Sequence, residues 1–257
     1  MIIVAVCFMA TLTGSICGMG GGIIIKPVLD LLGIMSVETA GFLSGCTVLA
    51  MSGYSILHIK MTHTSVIESK SATVLALGAA VGGIAGRELL IGIQNRGADQ
   101  AGLGTIQAIG MLILTGVCFL YSFVKHRLGS FRLTNIPMIA IVGLLLGMIS
   151  SFLGIGGGPL NVTVLYLLFS MRAKTASQNS LYIILYCQVF SVVWAVIRGS
   201  VPEFRTSTLL LMAASGIGGS VVGRMANRRM DDRMVDGLLR FLMVIMIGVN
   251  LYNIFTK

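Results

Sequence analysis

The residues best suited to chemistry in this chain are glycines. Gly18, Gly20, Gly21 and Gly22 form a GxGGG cluster that runs into Ile23-Ile24-Ile25-Lys26-Pro27. Gly154, Gly156, Gly157 and Gly158 form a second cluster that runs into Pro159-Leu160-Asn161. Glycine inside a helix costs roughly 1 kcal/mol per residue relative to alanine, so two such clusters need a reason. A run of glycines leaves the first N–H groups of the following helix bare, and that end of a helix carries partial positive charge. The chemistry implied is anion binding by backbone amides. Pro159 fits the first turn of a helix, where a missing N–H is no loss. Close helix packing through small residues is the competing explanation.

Side chains around the clusters extend the candidate site. Gly20, Gly21, Gly22, Gly156, Gly157 and Gly158 supply the amides. Asn161 and Thr163 follow the second cluster directly and can hydrogen-bond a ligand. Ser44 in the first half and Gln178 and Asn179 in the second hold corresponding polar places inside apolar runs; hydrogen bonding between helices is the alternative role for each. Lys26 lies one turn past Gly22 in an apolar run, where a charge is expensive and is a functional candidate by default. It either attracts the anion, snorkels to an interface, or pairs with Asp30 four residues on. His58 is a candidate for proton coupling, against an interfacial histidine at a helix end.

Enzyme signatures do not appear. Gly18 to Lys26 does not fit GxxxxGK[ST], both clusters fail GxGxxG, and HExxH is missing, so no catalytic residue, cofactor or metal is assigned. Cys7, Cys17, Cys46, Cys118 and Cys187 make no CxxC pair and read as small packing residues. Any transport is therefore facilitated or coupled to an ion gradient.

The elements that position these residues are membrane segments. Of 257 residues, 56% are hydrophobic and only 11% charged, where a soluble domain carries about 25% charged residues. The net charge of +9 reflects Lys and Arg gathered in cytoplasmic loops rather than a nucleic-acid partner. The first apolar stretch has no Lys or Arg before it and reads as a retained membrane segment rather than a cleaved signal peptide. Apolar runs of spanning length lie near 38–58, 66–86, 101–124, 135–153, 176–197, 206–223 and 235–255, and shorter ones at 2–17, 23–34 and 159–170 border the glycine clusters. Arg87-Glu88 and the stretch from Arg224 to Asp232 read as solvated helix ends.

The chain is duplicated. Laying Gly18 on Gly154 also lays Ala40 on Ala176, Ser44 on Ser180 and Gly82-Gly83 on Gly218-Gly219; one further residue brings Gly86-Arg87 onto Gly223-Arg224. Residues 1–128 form a first repeat and 129–257 a second, within one membrane domain. If each cluster sat inside one broken crossing, basic residues would fall almost equally on both sides. If the chain reverses at each cluster, one side holds Lys60, Lys125, Arg127, Arg132, Arg172, Lys174, Arg224, Arg228, Arg229 and Arg233, and the other Arg87, Arg96, Arg198, Arg205 and Lys257. Loop bias sets orientation and favours the second arrangement. The expected fold is an all-α integral membrane protein of two inverted repeats. Each has a glycine-broken helical hairpin of two short half-helices plus three to four spanning helices, and both termini lie outside.

At these residues the sequence resembles the TauE/SafE family of probable sulfite and organosulfonate exporters. The hallmark is a GxGGG segment followed by an apolar run and a proline, once per half. Gly18 to Pro27 matches it throughout; Gly154 to Pro159 matches, with Thr163 where the later proline would stand. The resemblance implies a secondary transporter that exports small sulfur-containing anions, such as sulfite or sulfoacetate, across a bacterial cytoplasmic membrane. Alternating access at the midplane is the expected mechanism; an anion channel, or a transporter of another small anion, is the alternative. The expected partners are the small anionic substrate, the lipid bilayer and a second copy in a homodimer.

Overall fold

In hydrocarbon every backbone N–H and C=O must be satisfied within the protein, and a helix does this along its own length. The computed structural model describes residues 2–33, 35–62, 69–95, 100–125, 133–153 and 157–256. Among them run helices α1 (Ile2–Cys17), α2 (Gly22–Leu32), α3 (Val37–Met61), α4 (Ser69–Asn95), α5 (Gln100–Val124), α6 (Ile136–Phe152), α7 (Gly158–Phe169), α8 (Ala173–Ile197), α9 (Thr206–Arg229) and α10 (Asp232–Thr256). No strand occurs among the described residues. Six stretches are long and apolar enough to cross a membrane: Glu38–Met61, Lys70–Ile93, Ile106–Val124, Ala173–Ile197, Thr206–Arg229 and Asp232–Tyr252. The protein is an all-α, multi-pass integral membrane protein.

Helix ends follow local chemistry. Ser36 caps α3 by accepting a hydrogen bond from the Thr39 amide at 3.2 Å. Glu38 lies in the first turn of α3 and Lys60 in the last, each matching the helix dipole. Pro137 and Pro159 open α6 and α7. Pro27 lies inside α2 and cannot donate to the Ile23 carbonyl four residues back.

The helices beside each glycine cluster are short. α1 has 16 residues and α2 has 11; α6 has 17 and α7 has 12. At 1.5 Å per residue none reaches the roughly 30 Å of a hydrocarbon core, so α6 is not the full span expected of 135–153.

Packing between the halves is reciprocal. α1 packs on α9 and α6 on α4; α3 packs on α9 and α8 on α4; α2 lies on α3 and α7 on α8. Each of these pairings has a twin displaced by five helices, and α3·α8 and α5·α10 are their own twins; the lesser contacts of α1 with α3, α8 and α10, and of α8 with α10, have no twin of comparable extent. Glycine makes the α4–α6 crossing close: a Cβ on Gly82 would lie 2.7 Å from the Leu144 carbonyl carbon, and one on Gly147 2.6 Å from that of Ala79. Gly219 and Gly223 of α9 meet Phe8, Thr11, Leu12 and Ser15 of α1 in the same way. Such stripes let backbones approach where no hydrophobic drive separates helix from lipid.

Half-buried charge ties further helices together. Lys125, just past α5, forms an ion pair with Asp236 of α10. The Tyr166 hydroxyl of α7 donates to the other carboxylate oxygen at 2.9 Å, and the Lys125 ammonium stands 4.1 Å from the Tyr166 ring centroid.

α4 runs well past Gly86, where the apolar run ends in sequence. Arg87 and Glu88 are therefore not a solvated helix end. Glu88 is held by Arg198 and by the Trp194 indole N–H at 2.8 Å, both from the α8 side. Arg224 is likewise part of α9, and Asp232 accepts the Lys174 amide at 3.0 Å.

Candidate functional site

The first glycine break begins where α1 ends. Gly18 adopts φ +74° and Gly20 φ +65°, the left-handed region that glycine enters without penalty. The amides of Gly18 and Met19 both donate to the Gly14 carbonyl, at 2.9 and 3.1 Å, closing α1 in the manner of a left-handed cap. The Gly18 carbonyl accepts a hydrogen bond from the Ser180 hydroxyl of α8. A Cβ on Gly18 would lie 2.8 Å from the Ser177 carbonyl carbon. The first half's break is thus clamped by a helix of the second half.

The described part of the second break, Gly157, has φ +114°. A Cβ there would stand 2.7 Å from Asn161 Nδ2 and 3.0 Å from Ile184 Cγ1. A Cβ on Gly20 would stand 3.3 Å from Ile184 Cδ1 and 3.4 Å from Val48 Cγ1. Both breaks therefore converge on Ile184, which is fully buried.

Beside this junction lies a cavity of about 410 Å³. Gly20, Gly22, Lys26, Ser44, Gly157 and Asn161 line it, joined by Glu38, Arg87, Gln107, Ser150, Gln188 and Ser191. Among the described lining residues, Lys26 and Arg87 against Glu38 leave an excess of positive charge. Ser44 is buried and its hydroxyl donates to the Gly41 carbonyl at 2.9 Å. The Gln107 amide donates to the Phe152 carbonyl at 2.6 Å and so satisfies the last turn of α6. A second hollow, of about 460 Å³, is lined by Ser71, Ser170, Arg172 and Thr175 and touches neither break.

The other sequence candidates are placed elsewhere. Gly21 packs on α1, where a Cβ would lie 2.9 Å from Thr11 Cγ2. Gly158 is buried at the start of α7. Thr163 is buried within hydrogen-bonding reach of the Cys118 thiol. Gln178 and Asn179 are on α8 outside the cavity lining; Asn179 donates from Nδ2 to the Thr175 carbonyl at 2.9 Å. His58 meets the Arg224 guanidinium at 3.3 Å through Nδ1, away from the cavity. Gly156 lies outside the described residues, as does the side chain of Asp30 against which Lys26 was weighed.

Arg87, Gln107, Ser150 and Ser191 were missed from sequence. One signal pointed to Arg87: the Gly86-Arg87 step recurs as Gly223-Arg224. Nothing in the sequence marks which serines of an apolar helix face inward.

The Ser180 contact gives a direct test of the clamp. Ser180→Ala leaves the buried Gly18 carbonyl without this donor and is expected to destabilise the protein by about 1–3 kcal/mol. A lowered thermal midpoint in detergent would show this, with Ser207→Ala at the surface as the comparison.

The ten helices among the described residues, spanning and half-length, with broken helices around a cationic cavity inside an apolar chain, define a membrane transporter. Residues 3–252 match the family described as "Sulfite exporter TauE/SafE", and the chain belongs to that family. It is 27% identical over 271 residues to a protein of Bacillus subtilis (strain 168) described as "Probable membrane transporter protein YunE", covering 97% of this chain and 96% of that one. No solved structure gives a significant match.

Proposed function

We propose that this protein is a secondary transporter that exports small sulfur-containing anions, sulfite or organosulfonates such as sulfoacetate, across the bacterial cytoplasmic membrane. Residues 1–128 and 129–257 act as inverted repeats, with both termini outside, and the two GxGGG hairpins alternate access to a shared midplane site. The observation that carries this reading is the convergence of Gly20 and Gly157 on Ile184 beside one cationic cavity. Bare amides at the start of α2 and α7 suit an anion, and irregular backbone at membrane depth persists where it is buried or lines a wet cavity. Transporters commonly place their sites at such discontinuous helices between repeats. The reciprocal packing of five helices on five supports the duplication, and the excess of basic residues on one side supports the inversion.

Proteoliposomes carrying the purified protein test it. The expected result is saturable uptake of labelled sulfite or sulfoacetate, accelerated by the same unlabelled anion trapped inside. Single-channel currents without counterflow would overturn the transporter in favour of a pore.

A further inference from the structure

The cavity has a cation whose duplicate is engaged differently. Arg87 of α4 and Arg224 of α9 occupy the same place in the two halves, each directly after a glycine of a tight helix crossing. Arg224 is committed to protein: its Nη1 donates to the Ser55 carbonyl at 2.8 Å and its Nη2 meets His58 Nδ1 at 3.3 Å. Arg87 instead lines the cavity. Its one hydrogen bond among the described residues is a long one, from Nη1 to the Ser191 hydroxyl at 3.4 Å. The neighbouring acid does not neutralise it, because Glu88 is occupied by Arg198 and Trp194. The guanidinium therefore keeps most of its fork of donors for something in the cavity.

An independent observation lies on the facing helix. Ser150 of α6 lines the same cavity and is only 5% exposed, yet its hydroxyl has no hydrogen-bond partner among the described residues. A buried polar group without a partner is rare and calls for an explanation. α4 and α6 touch where a Cβ on Gly86 would lie 3.0 Å from the Met148 carbonyl carbon. Arg87 and Ser150 flank that contact, one on each helix.

We propose that Arg87 and Ser150 form the subsite that grips the substrate's anionic oxygens, with Arg87 supplying charge-assisted donors and Ser150 a single hydroxyl donor. The ligand class is a small oxyanion whose oxygens diverge from one centre, as in a sulfite or a sulfonate head group. The glycine breaks and Lys26 then form the remaining wall. Identifying the ligand as a sulfur oxyanion rests on the proposed function; the assignment of Arg87 and Ser150 rests on their own geometry.

Isothermal titration of the purified full-length protein in detergent with sulfite, sulfoacetate, sulfate and acetate separates the two. Arg87→Gln is expected to weaken binding of sulfite or sulfoacetate roughly tenfold to hundredfold, as for loss of a charge-assisted bond. Arg87→Lys retains part of the affinity. Arg224→Gln lowers the thermal midpoint and leaves affinity unchanged. Ser150→Ala is the sharper variant, because it removes an unpartnered hydroxyl: the ligand-free midpoint stays level or rises while affinity falls severalfold. A structural serine would not give that pair of signs. Unchanged affinity in both Arg87→Gln and Ser150→Ala overturns the subsite. Binding of sulfate or acetate alone, lost in Arg87→Gln, sustains the subsite and overturns the sulfite and sulfonate reading. No binding by the wild-type protein across the panel overturns both.

Discussion

Gly157→Val is expected to abolish the proposed anion transport in proteoliposomes while the protein still inserts into the membrane. Two effects act at this position. The backbone has φ +114°, which a β-branched residue adopts only as a genuine outlier. The added Cβ would also stand 2.7 Å from Asn161 Nδ2 and 3.0 Å from Ile184 Cγ1. Asn161 lines the cavity and Ile184 separates the two breaks, so the substitution deforms the site and its partition together. Gly33→Val separates strain from position. Gly33 has φ +60° with nothing within 4 Å of an added Cβ, and it is expected to keep most of the flux. Normal flux in Gly157→Val would remove the break from the transport site. Gly21→Val acts through a different contact, against Thr11 and Ala10 of α1.

The second large effect concerns folding rather than transport. Gly82→Val is expected to prevent accumulation of folded protein. The Cβ would lie 2.7 and 2.8 Å from the carbonyl carbon and Cα of Leu144. These are backbone atoms, so the helices must separate rather than a side chain turn aside. Overpacking of ordinary cores costs about 1–3 kcal/mol, and a backbone obstacle is expected to exceed the top of that range. The same outcome is expected for Gly219→Val, where the Cβ would meet Thr11, Phe8 and Leu12 of α1. Gly116→Val, with nothing within 4 Å, should be neutral. Gel filtration of fluorescently tagged protein reads all three. A monodisperse Gly82→Val at wild-type yield would show that the α4–α6 crossing tolerates separation.

The helices were legible because apolar length carries most of the signal in a membrane chain. The runs at 2–17, 101–124 and 135–153 fall within a residue or so of α1, α5 and α6. The glycine clusters marked the short helices for the same reason: glycine interrupts a pattern that is otherwise unbroken. The end of α4 is misplaced in the sequence pattern, because Arg87 and Glu88 look like an exit into water. They stay in the helix because Trp194 and Arg198 supply partners for Glu88, contacts made 106 and 110 residues away in sequence that leave no local trace. Within the site, Gly20 and Gly21 are adjacent in sequence and face opposite ways, one to Ile184 and one to α1. That difference depends on dihedral angles that the repeated letter does not encode. Ser150 was invisible for a related reason. Serines on apolar helices ordinarily bond back to their own helix, as Ser52 does to the Val48 carbonyl at 2.7 Å, and only the packed structure shows one that does not.

The glycine-lined crossings also set an order of assembly. α1 is made first, yet its close partner α9 comes from the far end of the chain. Until α9 is synthesised, Thr11 and Ser15 have lipid or transient neighbours where Gly219 and Gly223 will later sit. α4 waits far less, since α6 follows after one intervening helix. Sequence-distant pairings form late because a long loop must close first. Biogenesis is therefore asymmetric even where the packing is reciprocal: the α4–α6 pair can form as an early nucleus, and the α1–α9 seam closes late.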